Sequence, residues 1–450
     1  MIDARFRLSD DQVRLLAKRF GTPLYVLDEA TIRGRIREYF EAFSACWPRI
    51  RLSYASKANG TMAVLAIAHK EGCWIDCASE GELRAALGAE IPAESCCLHG
   101  NNKSAGELLF AFDAGVGEVI ADNFEELAML ATNFDLRTSS TRVLLRLAPG
   151  VAPQTHAKIS TGQAETKFGF SIADGSAERA LCYCLERGIP VHGFHCHVGS
   201  QLLDPEAQVA GGLALARFAA HMKQKHGFAA DLLNLGGGLG ARYTDEQRMA
   251  VGDYCRMLVN ALAPTLAEAD LNPGLAQEPG RAIVAEAGVT LYTVGVVKQA
   301  GSTRFVVVDG GMADNPRPAL YGAKYEVALT TSDERRTTSR TPSPQPPPPP
   351  GTIIQQGEGE FRTIVSGRHC ESDTLFEDVD LPDDLEPGDL LQVLTTGAYA
   401  TSMASNYNRY PRPATVLIRE DGRIEIVQRP DTYEEMMARE LLPEDLTSGG

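Results

Sequence analysis

The run IRLSYASK, Ile50 to Lys57, carries strand-like residues into a lysine, and the small residues Ala58, Asn59 and Gly60 follow it. An ammonium at the end of a buried strand is out of place in an ordinary core, so the neighbouring segments must say what the strand belongs to. Seven further apolar runs follow: CWIDCAS, SCCLHG, EVIAD, RVLLRLAP, VHGFHCHVG, DLLNLGGG and GLAQEPGR, the last ending at Arg281. Amphipathic stretches such as MAVLAIAHKEG, EGELRAALGAE and GGLALARFAAHMKQKHG separate most of them, with apolar residues at helical spacing. Eight βα units over roughly 250 residues predict an α/β fold, a TIM (β/α)8 barrel. A doubly wound parallel sheet is the competing architecture.

Beyond Ala285 the pattern changes to strands without helices: VTLYTVGVVKQ, TRFVVVDGG, DLLQVLTTG and ATVLIREDGRIEIVQ, the last with a hairpin turn at Asp421-Gly422. TPLYVLD, ahead of the barrel, reads as one more strand. The expected division is a barrel domain over residues 30–285 and a second, all-β domain, sandwich-like or barrel-like, from 1–29 and 286–450. Within the latter, residues 330–360 hold five consecutive prolines, Pro346 to Pro350, among Ser, Thr and Arg. Such a segment favours polyproline II and cannot build a core, so a disordered surface insertion is expected, with a docking site for proline-binding modules as the alternative.

The formal charge of −16 over 450 residues and a pI near 5.1 argue against nucleic acid or an anionic membrane as partner, since both select clustered basic residues. There is no apolar stretch long enough to span a bilayer and no signal-peptide core at the start, which predicts a cytoplasmic protein. The ten cysteines sit largely in apolar runs, as at Cys96-Cys97 and Cys182/Cys184, and read as reduced core thiols. Without paired CxxC clusters, no metal site is expected.

In a TIM barrel the reactive groups stand at the C-terminal ends of the strands. Here those ends hold Lys57, HCHVGSQ after strand six, LGGGLG after strand seven and EPGR after strand eight. Gly236 to Gly238 with Gly280 and Arg281 coincide with the phosphate site such barrels form after strands seven and eight. A phosphorylated ligand facing a lysine points to pyridoxal 5'-phosphate. Lysine is the side chain whose amine condenses with an aldehyde, and desolvation at the strand end is expected to lower its pKa. Glu278 is placed to pair with the pyridine nitrogen and keep the ring protonated, which favours carbanion chemistry; a helix-capping glutamate is the plain alternative. His195 and His197 share one face of their strand. One of them stacking on the cofactor ring, an H-x-H metal pair, or a core histidine all remain open on spacing alone. GGGLG also occurs in dinucleotide folds, but it lacks the G-x-G-x-x-G turn into a helix and lies at strand seven, so NAD binding is the lesser reading.

The motifs HGNNKS (99–104), HAKISTGQAETKFGF (156–170), VDGGMADNPRPALYGAKY (308–325), GRHCESDTLFEDVDLP (367–382) and GAYATSMASNYN (397–408) resemble those of the fold-type III pyridoxal-phosphate decarboxylases, over nearly the whole chain. The resemblance implies that Lys57 holds the cofactor covalently, His197 stacks on its ring, and Ser200, Gly237, Gly238 and Gly280 receive its phosphate. It implies that Glu278 pairs with the ring nitrogen, that Arg281 lies between phosphate and substrate carboxylate, and that Tyr399 touches cofactor and substrate. Arg317, Tyr321 and Glu371 resemble substrate contacts, and Cys370 resembles the acid that protonates Cα. A cysteine suits that role, its ordinary pKa being about 8.5. An arginine fork suits a carboxylate and Glu371 an ammonium, which describes a small-molecule amino acid with a second amino-acid end.

The activity so implied is decarboxylation of meso-2,6-diaminopimelate to L-lysine, the last step of lysine biosynthesis, by a homodimer whose sites combine barrel residues of one subunit with Cys370 and Glu371 of the other. The rivals are a related decarboxylase of ornithine, lysine, arginine or a carboxylated polyamine, a racemase, which would prefer a weaker electron sink than Glu278 provides, and a non-enzymatic regulator, which would be expected to have lost Lys57 or Cys370.

Overall fold

The computed structural model describes residues 5–133, 140–151, 166–330, 362–443 and 446. Apart from Thr330, the expected proline-rich insertion lies outside the described residues. The chain opens with α1 (Asp10–Phe20), whose start is fixed by a capping box in which Ser9 and Gln12 exchange side-chain and backbone hydrogen bonds. Next come β1 (Leu24–Asp28) and α2 (Glu29–Ser44), capped by the Asp28 carboxylate.

The eight expected barrel strands are all present: β2 (Ile50–Ala55), β3 (Trp74–Cys77), β4 (Cys96–Leu98), β5 (Glu118–Ala121), β6 (Arg142–Ala148), β8 (Val191–Cys196), β9 (Leu232–Asn234) and β10 (Gly274–Gln277). All pair in parallel and β10 closes on β2, so the sheet has no free edge; a two-residue strand, β7 (Phe170–Ser171), lies beside β6. This is the closed barrel expected, not a doubly wound sheet. Successive side chains alternate between the helix-covered outside and the lumen. Cys96, Val119, Leu145, Leu233 and Leu275 join the large core outside, while Cys97, Ile120, Leu144, Leu232 and Ala276 form a separate cluster within.

The inward rows change character along the axis. At the N-terminal end Glu118, fully buried, takes both Arg51 guanidinium nitrogens at 2.7 and 2.6 Å and lies 3.0 Å from His192 Nε2. The apolar cluster fills the middle. At the C-terminal end the inward positions are polar: Asp76, Arg146, His195 and Asn234, with His99 and Glu278 just past their strands. Arg146 and His195 are register partners, as are His195 and Asn234.

The second sheet is built from both ends of the chain. β1 runs antiparallel to β11 (Gly288–Ala300) and parallel to β17 (Ala414–Ile418). The path continues through β12 (Thr303–Val308), β14 (Arg362–Ser366) and β15 (Thr374–Glu377) on one side and β18 (Ile424–Gln428) on the other; β16 (Leu390–Leu394) pairs with β11 and with β13 (Val327–Thr330). α1 covers this sheet, burying Val13 and Leu16 against Leu24, Val26, Leu291 and Val416. Between the two sheets Arg35 of α2 and Glu286 pair at 2.7 Å, both almost wholly out of water, and Glu286 also accepts the Arg242 N–H at 2.8 Å.

Burial pushes the Glu118 carboxyl up, but Arg51 and His192 outweigh it and hold its pKa at about 2, below the ordinary 4.5. A depressed carboxyl stabilises the fold above its unfolded pKa and loses that contribution as pH falls through the folded one, here on the order of 3 kcal/mol. The urea midpoint of the native protein should therefore exceed that of Glu118→Gln by an amount that shrinks as pH drops below about 4.5. A gap that stays constant from pH 6 to pH 3 would show that Glu118 is not held charged in this way.

Candidate active site

Lys57 stands in a single 3-10 turn, Ser56–Ala58, directly after β2. The turn is tied from both sides. Ser56 Oγ donates to the Asp76 carbonyl at 2.7 Å and to Glu82 at 2.6 Å. From the second sheet's side, the Tyr399 N–H donates to Ala58 O at 2.7 Å and Ser402 Oγ to Lys57 O at 3.0 Å. The backbone therefore cannot drift, and the ammonium opens onto a cavity of about 670 Å³ shared with His99, Arg146, His197, Arg281 and Tyr399.

The expected lowering of the Lys57 pKa is overturned. Burial does push it down, but the Asp76 carboxylate at the end of the adjacent strand, followed by Tyr399 and Glu278, outweighs burial, and the net shift is upward. Lys57 is therefore held in its protonated form, and a proton acceptor is needed to free its amine. His197 is the opposite case: burial, then Lys57 and Arg146, hold its imidazole well below the ordinary value, so the ring facing the cavity is neutral.

Glu278 is held by three partners. Asn234 Nδ2 donates to Oε1 at 2.7 Å, His99 Nε2 lies 3.0 Å from Oε1, and His195 Nε2 lies 3.0 Å from Oε2. Burial alone would raise its pKa, but the two imidazoles bring it well below the ordinary range. The pair of strand-six histidines is thereby divided: His195 supports the carboxylate and His197 faces the cavity. No H-x-H metal pair forms from them. Two groups of described residues do bring three ligand-type atoms within 4.8 Å: Cys97, His99 and Glu278, and Glu178, Cys182 and His226. In both, the carboxylate's charge is already met by protein groups, with Lys225 Nζ lying 2.6 Å from Glu178.

Beside Lys57 a recess of about 50 Å³ is lined by Ser200, Gly237, Gly238, Gly280 and Arg281. A side chain at Gly237 would put its Cβ 2.2 Å from the Glu278 carbonyl, so only glycine lets this loop lie against EPGR. Arg281 donates from Nε and Nη2 to Ser200 Oγ at 3.3 and 3.1 Å and from Nη1 to the Tyr243 hydroxyl at 2.6 Å, and its guanidinium stacks 4.6 Å over the Tyr399 ring. Arg317, a substrate contact by resemblance, is buried: Nη1 donates to Tyr325 Oη at 2.6 Å and the guanidinium faces the Tyr243 ring at 4.5 Å. Tyr321 lines the same cavity.

The fold thus gathers Lys57, His197, Ser200, Gly237, Gly238, Glu278, Gly280, Arg281, Arg317, Tyr321 and Tyr399 around two cavities that share Lys57, His197, Ser200, Arg281 and Tyr399 as walls. It does not bring Cys370 and Glu371 there. Both are exposed, Cys370 donating its N–H to Asn408 Oδ1 at 3.0 Å and Glu371 accepting the Tyr407 hydroxyl. Sequence reasoning missed Asp76, His99, Arg146 and Asn234 as members. Asp76 stands at a strand end as Lys57 does, and HGNNKS carries His99, so the strand-end rule contained the signal for both.

A carboxylate kept charged, a lysine beside an anion-sized recess and a neutral imidazole on the cavity wall together fit pyridoxal phosphate. The pyridoxal-dependent decarboxylase family, through its pyridoxal binding domain, matches residues 33–285. The chain is 40% identical to the diaminopimelate decarboxylase of Bacillus subtilis, over 95% of this chain and 93% of that one. It superposes on the diaminopimelate decarboxylase of Methanocaldococcus jannaschii with a TM-score of 0.85 at 31% identity, covering 99% and 98% of the two chains. The enzyme of Helicobacter pylori, solved in complex with L-lysine, gives 0.80 at 30% identity over 94% and 98%. A lysine/ornithine decarboxylase of Vibrio vulnificus, at 24% identity and TM-score 0.73, shares the fold.

Because Asp76 is the main group raising the Lys57 pKa, Asp76→Asn should shift the pH midpoint of Lys57 modification by an amine-specific reagent to lower pH in cofactor-free protein, read by peptide mass spectrometry. An unchanged midpoint would remove Asp76 from that role.

Proposed function

The chain belongs to the pyridoxal-dependent decarboxylases, in the diaminopimelate decarboxylase branch, and from that we propose that it removes one carboxyl group of meso-2,6-diaminopimelate to give L-lysine and carbon dioxide. The observation that carries the choice of substrate is the pair of buried guanidiniums, Arg281 and Arg317, in the cavity that Lys57 opens onto. A decarboxylase of ornithine, lysine or arginine would present no second carboxylate to them, leaving buried donor capacity unmet. The non-enzymatic reading fares worse, since Lys57 and Cys370 are both present.

Pyridoxal phosphate, when bound, supplies an aldehyde for covalent attachment of the amino acid and an electron-poor ring that takes up the electron pair left by carbon dioxide. The protein's part follows from its residues. Ser200, Arg281 and the Gly237, Gly238 and Gly280 backbone hold the phosphate. Glu278, its carboxyl held well below the ordinary range by His99 and His195, would face the ring nitrogen and favour its protonated form. His197, neutral, offers a flat face for stacking. Arg317, Tyr321 and Arg281 take the substrate's distal carboxylate and Glu371 its distal ammonium. When the carbon–carboxyl bond breaks, a proton must enter at the same carbon, and Cys370 delivers it.

Cys370 and Glu371 come from a second copy in this proposal. Their exposure and their separation from the Lys57 cavity support a two-fold homodimer with shared sites. The domain division at residues 30 and 285 belongs to the same reading, as does a cytoplasmic location. No described helix is long and apolar enough to cross a membrane, and all ten cysteines are free thiols.

Carbon dioxide release from meso-diaminopimelate should exceed that from lysine or ornithine by several powers of ten in kcat/KM, because a site with buried charged partners rejects the analogue lacking them. Comparable turnover of lysine would overturn the substrate assignment. Lys57→Ala should abolish turnover. Mixing that variant with Cys370→Ala should restore wild-type composition to about a quarter of all sites, as two-fold symmetry dictates. Hybrid dimers confirmed by mass but no more active than the mean of the parents would place each site within one chain.

A further inference from the structure

We propose that Tyr243 is a positioning residue, which sets the spacing and orientation of Arg281 and Arg317 and thereby the affinity for the substrate end that keeps its carboxylate. The proposal rests on the functional reading above and deepens it.

Tyr243 lies just past the glycine loop that follows β9, with only 4% of its surface exposed. Its hydroxyl and its ring meet different arginines. The hydroxyl accepts the Arg281 Nη1–H at 2.6 Å, and the ring faces the Arg317 guanidinium at 4.5 Å. The ring also meets Tyr325 edge to face at 5.2 Å, and the Tyr325 hydroxyl accepts from Arg317 Nη1 at 2.6 Å. Arg281 directs its other donors to Ser200, toward the phosphate recess. Tyr243 therefore meets both guanidiniums, one through its hydroxyl and the other through its ring.

Two cations that both meet one side chain repel, and burial strengthens the repulsion. A phenol between them presents an acceptor oxygen to one and the electron-rich face of its ring to the other. That keeps the pair apart at a fixed distance while no anion is bound, and leaves both forks set for a carboxylate when one arrives. The backbone of Tyr243 is itself anchored, since its N–H donates to Glu246 Oε2 at 3.0 Å and its carbonyl accepts from Arg5 Nη1 at 3.0 Å.

The product offers a probe that separates this role from general packing. Decarboxylation consumes one carboxylate of the substrate, so L-lysine retains the amino-acid end that the arginines hold, whereas cadaverine, the corresponding diamine, has no carboxylate. Tyr243→Phe keeps the ring and loses the acceptor for Arg281. In the holoenzyme it should weaken L-lysine binding, and raise KM for diaminopimelate, by about tenfold, the loss expected for one hydrogen bond to a charged group. KM should change more than kcat. Tyr243→Leu, which also removes the ring, should weaken L-lysine further. Cadaverine inhibition should hold within about twofold in both, the range of ordinary context effects on a site left intact. Unchanged L-lysine affinity in Tyr243→Phe would overturn the proposal. So would an equal loss for lysine and cadaverine, which would mean a loosened cavity. If the native enzyme does not turn over diaminopimelate at all, the functional reading fails instead, and that arm is read before the variants are compared.

Discussion

Moving a carboxylate from water into a protein interior costs several kcal/mol unless other groups replace the lost hydration. Glu278 has 6% of its surface exposed and stays anionic, because His99, His195 and Asn234 each approach one of its oxygens. Most of the upper barrel follows from that requirement. The three partners come from the ends of three different strands, so only a closed parallel sheet with matched registers brings them to one point. Arg146 and Asp76, at inward positions of β6 and β3, extend the charged layer to Lys57. A single charge thus fixes which inward positions are polar and where the apolar filling must stop.

The same logic explains what could be read in advance. The barrel was legible because its strands are near-continuous apolar runs separated by helical periodicity, a pattern set by burial on both faces. Lys57, Glu278 and Arg281 were legible because strand ends in this fold are where chemistry stands. Arg317 was not: flanked by prolines, it reads as a surface residue, and only the tertiary meeting of Tyr243 with Tyr325 shows that its charge is enclosed. The direction of the Lys57 shift was misjudged for a related reason. Sequence shows that a group will be desolvated but not which carboxylate a neighbouring strand will set beside it, and here Asp76 prevails over burial.

Cys370 and Glu371 mark the opposite limit. Their motif can be read, and their immediate holders, Asn408 and Tyr407, are clear in the structure, yet nothing within one chain brings them to Lys57. Asn408, which accepts the Cys370 N–H, itself has a φ of 52°, in the left-handed region tolerated best by glycine and asparagine.

The second sheet has a consequence for how the protein is made. Its strand β1 is pinned between β11 and β17, with Leu24 facing Leu291 on one side and Ala414 on the other. A ribosome releases β1 before the barrel and β17 after it, so the β1 edge that β17 will take must wait while the entire barrel is synthesised. The barrel can close on local crossovers as it emerges, whereas this sheet depends on joining segments from either side of the barrel, the kind of long-range closure that is slow and leaves a strand edge open to other chains. Nascent chains stalled between residues 300 and 414 would carry a finished barrel and a β1 paired with β11 but open on the edge that β17 will take, and are the stage of biosynthesis at which a holding chaperone has the most to cover.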